Sequence, residues 1–182
     1  MKTIIGGIKP LDIVLTADLA VLAVLIGLEN MNAGADADVA HAVESHSWLM
    51  IPVFVLAVLP IAARRTRVLE ALAVSTVIIA ASLPMFGWVT RCGFALPLSI
   101  AFAYAIGRFA GSRARNVLGL VGVVLLQVLT LVQDSATGGL DALGLAIPSA
   151  AIFYGAGLVV ENLAQKKTER DHDHAPAATV GS

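Results

Sequence analysis

Three arginines in four residues, Arg64-Arg65-Thr66-Arg67, separate two apolar runs at 48–63 and 68–88. A guanidinium at a bilayer centre costs roughly 2.5–3.5 kcal/mol on the insertion scale. The tetrapeptide therefore stays out of hydrocarbon and forms an elbow between two spans. Cationic loops are retained on the cytoplasmic side, so the elbow's placement sets the direction of every other apolar run. Arg64, Arg65 and Arg67 are read as topology-determining, with Arg108, Arg113 and Arg115 of a later loop acting the same way.

The chain is 58% hydrophobic and only 14% charged. Soluble domains carry about 25% charged residues, and the missing polar surface is a membrane signature. A formal net charge of −1 excludes a nucleic-acid surface as the expected partner. The one cysteine, Cys92, rules out an intrachain disulfide and a cysteine-based metal centre. The first apolar run begins after Pro10, lacks a small-residue cleavage site and is interrupted by Asp18, so no cleavable signal peptide is expected.

These observations predict an all-α, polytopic membrane bundle of six spans, at residues 11–28, 48–63, 68–88, 93–107, 116–133 and 142–160. Of the 12 Lys and Arg residues, 11 fall on one side of this arrangement and only Arg91 on the other. That asymmetry places both termini in the cytoplasm. The membrane domain is expected to occupy residues 1–165. Residues 166–182 read as a polar, disordered cytoplasmic tail. Richness in Ala, Val, Leu and Gly suggests a bacterial plasma (inner) membrane. Gly119, Gly122 and Gly155-Ala156-Gly157 are expected to let helices approach closely.

Candidate ligand or ion residues are few. Asp18 lies about 9 Å along the first span from Asp12, deep enough that a carboxylate needs a partner, a proton or a wet cavity. It reads either as an ion or sensing site or as a structural partner of Thr16, Ser99 or Arg108. Asp12 itself is expected to be solvated at the boundary, and Glu70 to pair with the arginine elbow. In the acidic loop, Asp38, His41 and Glu44 would share a face if helical, and His46 follows. Imidazole and carboxylate suit Zn²⁺, and histidine suits pH sensing, but a solvated loop explains the same residues. Asp171-His172-Asp173-His174 belongs to the polar tail. No metal site and no cofactor is assigned.

Catalytic signatures are absent: there is no G-x-S-x-G, H-E-x-x-H, P-loop or G-x-G-x-x-G. No histidine lies in a span to activate Ser75, Ser82 or Ser99. Gln127 and Gln133 are read as interhelical hydrogen-bonding residues.

Leu59-Pro60-Ile61-Ala62-Ala63-Arg64-Arg65 resembles the end of the second span in the N-terminal membrane domains of bacterial two-component sensor histidine kinases. Leu11-Asp12 at the first span, and the Tyr104-containing helix ending at Arg108, extend the resemblance. The charged stretch 161–170 stands where such a kinase begins its dimerising coiled coil. The chain has neither the phospho-accepting histidine helix nor the ATP-binding domain, so kinase activity is not implied. The resemblance implies a non-enzymatic membrane module of sensor or regulatory type. It would pair as a homodimer, or engage a protein partner, through its last helix and tail. A small transporter, or a transporter's substrate-binding membrane subunit, fits the same spans. So does an accessory subunit of a larger membrane complex.

Overall fold

The computed structural model describes residues 9–34, 39–137 and 139–173. They form six helices: α1 Pro10–Asn32, α2 Met50–Val58, α3 Val68–Phe86, α4 Cys92–Phe109, α5 Arg113–Leu131 and α6 Leu143–Asp173. The protein is all-helical, and a single isolated bridge, Val89 to Asp134, is the strand-like pairing among the described residues. Five helical segments are long and apolar enough to cross a membrane. The exception is α2, with nine residues followed by a five-residue 3-10 helix, Leu59–Ala63. At 1.5 and 2.0 Å per residue these two reach about 23 Å, short of a 30 Å hydrocarbon core. Pro60 sits at the start of the 3-10 segment, where its missing N–H ends the α-helical ladder.

Helix α4 is the centre. It packs against α6 most extensively, and also against α5, α1 and α3. Phe94, Leu98, Phe102 and Ile106 are fully buried on it. The short α2 is buried too, with Met50, Phe54, Ala57, Val58 and Ile61 all inaccessible. Its neighbours α1 and α3 close that half of the bundle. On α1, Asp12, Thr16, Leu19, Ala23, Gly27 and Asn30 recur every three or four residues and make one buried face.

Two helix ends differ from expectation for identifiable reasons. α1 continues past residue 28 because the buried Asn30 side chain finds partners beyond the helix, described below. α6 continues through Lys166 to Asp173 rather than stopping near residue 160. Residues 161–167 are mostly strong helix formers, and Gln165 donates to the Glu161 carboxylate at 3.0 Å one turn back. Residues 174–182 lie outside the described residues.

The α4–α6 contact turns on two glycines. A Cβ on Gly107 would fall against the carbonyl oxygen of Tyr154, and one on Gly157 against that of Tyr104. Both obstacles are backbone, so no side-chain rotation relieves them. Gly157→Val is therefore expected to force α6 off α4 and to cost roughly 1–3 kcal/mol, read as a lowered thermal midpoint in micelles. Gly155 has open space around its Cβ position. Gly155→Ala is the matched control and should leave the midpoint unchanged or slightly raised.

Candidate functional site

Two polar clusters pin the ends of the bundle, and a cavity lies between three of its helices. At the basic end, Asp12 is fully buried. Its Oδ1 accepts from Arg64 through Nε at 2.9 Å and Nη2 at 2.8 Å. Its Oδ2 accepts from Arg65 Nε at 2.6 Å and from the Lys9 backbone N–H at 3.0 Å. The solvated Asp12 of the sequence analysis is thus corrected: one carboxylate neutralises part of the elbow and ties α1 to the end of α2. Arg65 and Arg108 also lie over the Phe109 ring, at 5.1 and 5.2 Å, which brings the end of α4 to the same place. Arg67 is exposed as the N-cap of α3, and Arg113 and Arg115 are exposed in the first turn of α5. Glu70 is exposed and joins neither of the two ion pairs found among the described residues.

At the opposite end lies Arg91, the one cation that fell apart from the other eleven in the sequence. It is the largest fully buried side chain. Its Nε donates to Ser82 Oγ at 3.2 Å, Nη1 to the Gln133 carbonyl at 2.8 Å, and Nη2 to the carbonyls of Ser82 at 3.1 Å and Gly87 at 2.9 Å. Beside it, buried Asp134 accepts backbone N–H groups of Arg91 (2.6 Å), Cys92 (2.8 Å) and Thr137 (3.0 Å), and the Thr137 hydroxyl at 3.0 Å. Burial lowers the Arg91 pKa to about 10, and the nearby Asp134 charge opposes that shift. The guanidinium stays charged at neutral pH.

Helix α1 joins this junction through a side-chain amide. Asn30 Nδ2 donates to the Thr90 carbonyl at 2.9 Å and its Oδ1 accepts the Thr90 N–H at 2.8 Å. The side-chain amide thereby takes the place of a neighbouring strand.

The loop residues singled out as ligand candidates serve this cap. Residues 39–46 are not helical, so His41 and Glu44 do not share a helix face, and Asp38 lies outside the described residues. His41 rests against the Trp88 ring with centroids 4.0 Å apart. The Glu44 carboxylate accepts the Trp88 N–H at 3.0 Å, beside Gly87, whose φ of +62° lets the chain turn there. His46 Nε2 lies 3.0 Å from the Ala33 carbonyl. Among the described residues, no three His, Cys, Asp or Glu side chains converge to hold a metal ion.

Asp18 is exposed on the outer face of α1, and its side chain pairs with none of Thr16, Ser99 or Arg108.

Between α4, α5 and α6 lies a cavity of about 410 Å³. Leu96, Pro97, Ile100 and Leu145 give it apolar walls, and Cys92, Ser99, Gln127, Thr137 and Ser149 supply polar atoms. Leu145 is 76% exposed, so the cavity opens on the outer surface of the bundle. Gln127 is buried, and its Nε2 donates to Ser99 Oγ at 3.2 Å and to the Ala146 carbonyl at 2.9 Å. The interhelical role expected of it is present. Its Oε1, however, is buried without a hydrogen-bond partner. An unfilled buried acceptor costs about 1–3 kcal/mol. The size and lining suit a small, largely apolar molecule. Sequence inspection found Gln127 but not the cavity, because pockets depend on how three helices diverge.

Comparison with family models, with curated proteins and with solved structures finds no match to this chain, so its function is argued from this geometry.

Proposed function

We propose that this chain is a non-enzymatic membrane module of sensor or regulatory type, in which occupancy of the cavity shifts α6. The observation that carries the proposal is the continuity of α6. One helix runs from the cavity wall at Leu145, Ala146 and Ser149, past the glycine crossing, to the polar turns around Lys166 and Lys167. Only 17% of its apolar window is buried, the least of the five spanning segments, and its tight contact is the glycine crossing with α4, about which its ends can shift. Pro148 lies one turn below the cavity's outer wall and removes a backbone hydrogen bond there, which softens the helix at the guest. The exposed Leu163 and the lysines beyond it offer a surface for a cytoplasmic partner.

In this proposal the protein resides in a bacterial plasma membrane, with six spans and both termini in the cytoplasm. The short α2 counts as the second span. Its apolar, buried helix links the outer cap to the arginine elbow, and bilayer thinning or flanking residues make up its length. The basic residues at the Asp12 end set the orientation.

Purification of the full chain from native membranes, followed by mass spectrometry, tests the proposal. A protein recovered at fixed ratio with the wild type, and lost with Leu163→Glu, is the expected result. Recovery of the chain alone, with solute flux across reconstituted liposomes, would replace the sensor proposal with a transporter.

A further inference from the structure

One acidic side chain sits on the exposed face of a spanning helix with no partner among the described residues. Asp18 is exposed on α1, eight residues or about 12 Å from Pro10 along a helix of about 34 Å. An aspartate side chain is too short to reach either interface from that depth, unlike lysine or arginine. Its neighbours on the same face are Leu11, Val14, Val21, Leu25 and Leu28, exposed by 63%, 55%, 57%, 54% and 41%.

These residues form a pattern. Leu11, Asp18 and Leu25 are seven apart, and so are Val14, Val21 and Leu28, displaced by three. That is a heptad stripe with a positions at 11, 18 and 25 and d positions at 14, 21 and 28. It faces away from the buried face of Asp12, Thr16, Leu19 and Ala23. Val121 on α5 and Ile152 on α6 are also exposed, and in a bilayer lipid tails would satisfy such purely apolar faces. The α1 stripe differs because a carboxyl group interrupts it, and lipid tails offer that group nothing.

We propose that two copies of this chain pair through the α1 stripe, with Asp18 facing the partner's Asp18. Copies inserted by the same topology rules point the same way, so the two-fold axis stands along the membrane normal. The two α1 helices then run parallel and each residue meets its own equivalent at the same depth. A carboxylic acid is self-complementary: protonated, it donates to the carboxyl oxygen of the other copy. A single polar a position also sets the register, as buried Asn does in coiled coils. Small Ala17 beside the stripe permits close approach. This inference requires only that α1 lies in a bilayer and is independent of the proposed sensor role.

Cysteine cross-linking in membranes tests it. On a Cys92→Ala background, Val14→Cys, Val21→Cys and Leu25→Cys are each oxidised and the dimer fraction compared with Ile13→Cys and Ala20→Cys, which lie off the stripe. At least fivefold more dimer at 14, 21 and 25 is expected. Adding Asp18→Leu to Val21→Cys should cut the dimer at least fivefold, whereas Asp18→Asn, whose amide is also self-complementary, should retain it. Cross-linking without the heptad period, or undiminished by Asp18→Leu, overturns the proposal. Single-molecule photobleaching of the wild type in dilute vesicles gives an independent readout. Single-step bleaching only, as a different partner protein for Asp18 would produce, also overturns it.

Discussion

Asp134→Ala is expected to lower stability by roughly 3–5 kcal/mol, more than any other single change considered, and to lower the thermal midpoint on the order of 10 °C. Two costs combine. The backbone N–H groups of Arg91, Cys92 and Thr137 lose their acceptor in a site that water does not reach. The Arg91 guanidinium, fully buried, also loses its compensating charge. Asp134→Asn should cost less, since the amide oxygen still accepts from part of that set. Trp88 lies three residues from Arg91, so its fluorescence during thermal unfolding in nanodiscs reads the loss directly. Equal midpoints for Asp134→Ala and wild type would mean that this junction does not hold the outer end.

Asp12→Ala should produce the second largest loss, roughly 3 kcal/mol. It leaves Arg64, whose side chain is only 7% exposed, without its anion, and releases Arg65 and the Lys9 N–H as well. The consequence is local to α1, which is held at one end by Asp12 and at the other by Asn30 on Thr90. Hydrogen exchange should therefore rise in the first turns of α1 before the rest of the bundle unfolds. Membrane orientation should not change, because Lys and Arg, rather than acids, set it. Glu70→Ala is the control, since Glu70 is exposed and outside both ion pairs.

These two sites mark where sequence inspection stops. Apolar runs and clustered cations are local signals, and they mark the stretches where the helices of the described residues lie, five of them long and apolar enough to cross a membrane. Gln127 stood out as a polar residue in an apolar run. Arg91 and Asp134 are 43 residues apart, and each looks like an ordinary loop residue. Their meeting depends on α3, α4 and α5 presenting three turns at one end. Asp12 was expected to be solvated and is instead buried against Arg64, because no periodicity joins positions 52 apart. The loop histidines show the converse limit. His41 and His46 have the chemistry of ligands, but the tertiary fold sets one against Trp88 and the other near a backbone carbonyl.

The coupling of cavity to helix is best tested by a distance measured across the bundle end that carries the arginine elbow. Spin labels at Val117→Cys on α5 and Leu163→Cys on α6, both exposed and on a Cys92→Ala background, report that distance in nanodiscs. Ser149→Trp fills the cavity from its α6 wall without an added ligand. The account predicts that filling moves the label on α6 by on the order of 2 Å, the scale of helix shifts in switching proteins. An unchanged distance distribution in folded Ser149→Trp protein would contradict it, because the cavity and the far end of α6 would then be uncoupled.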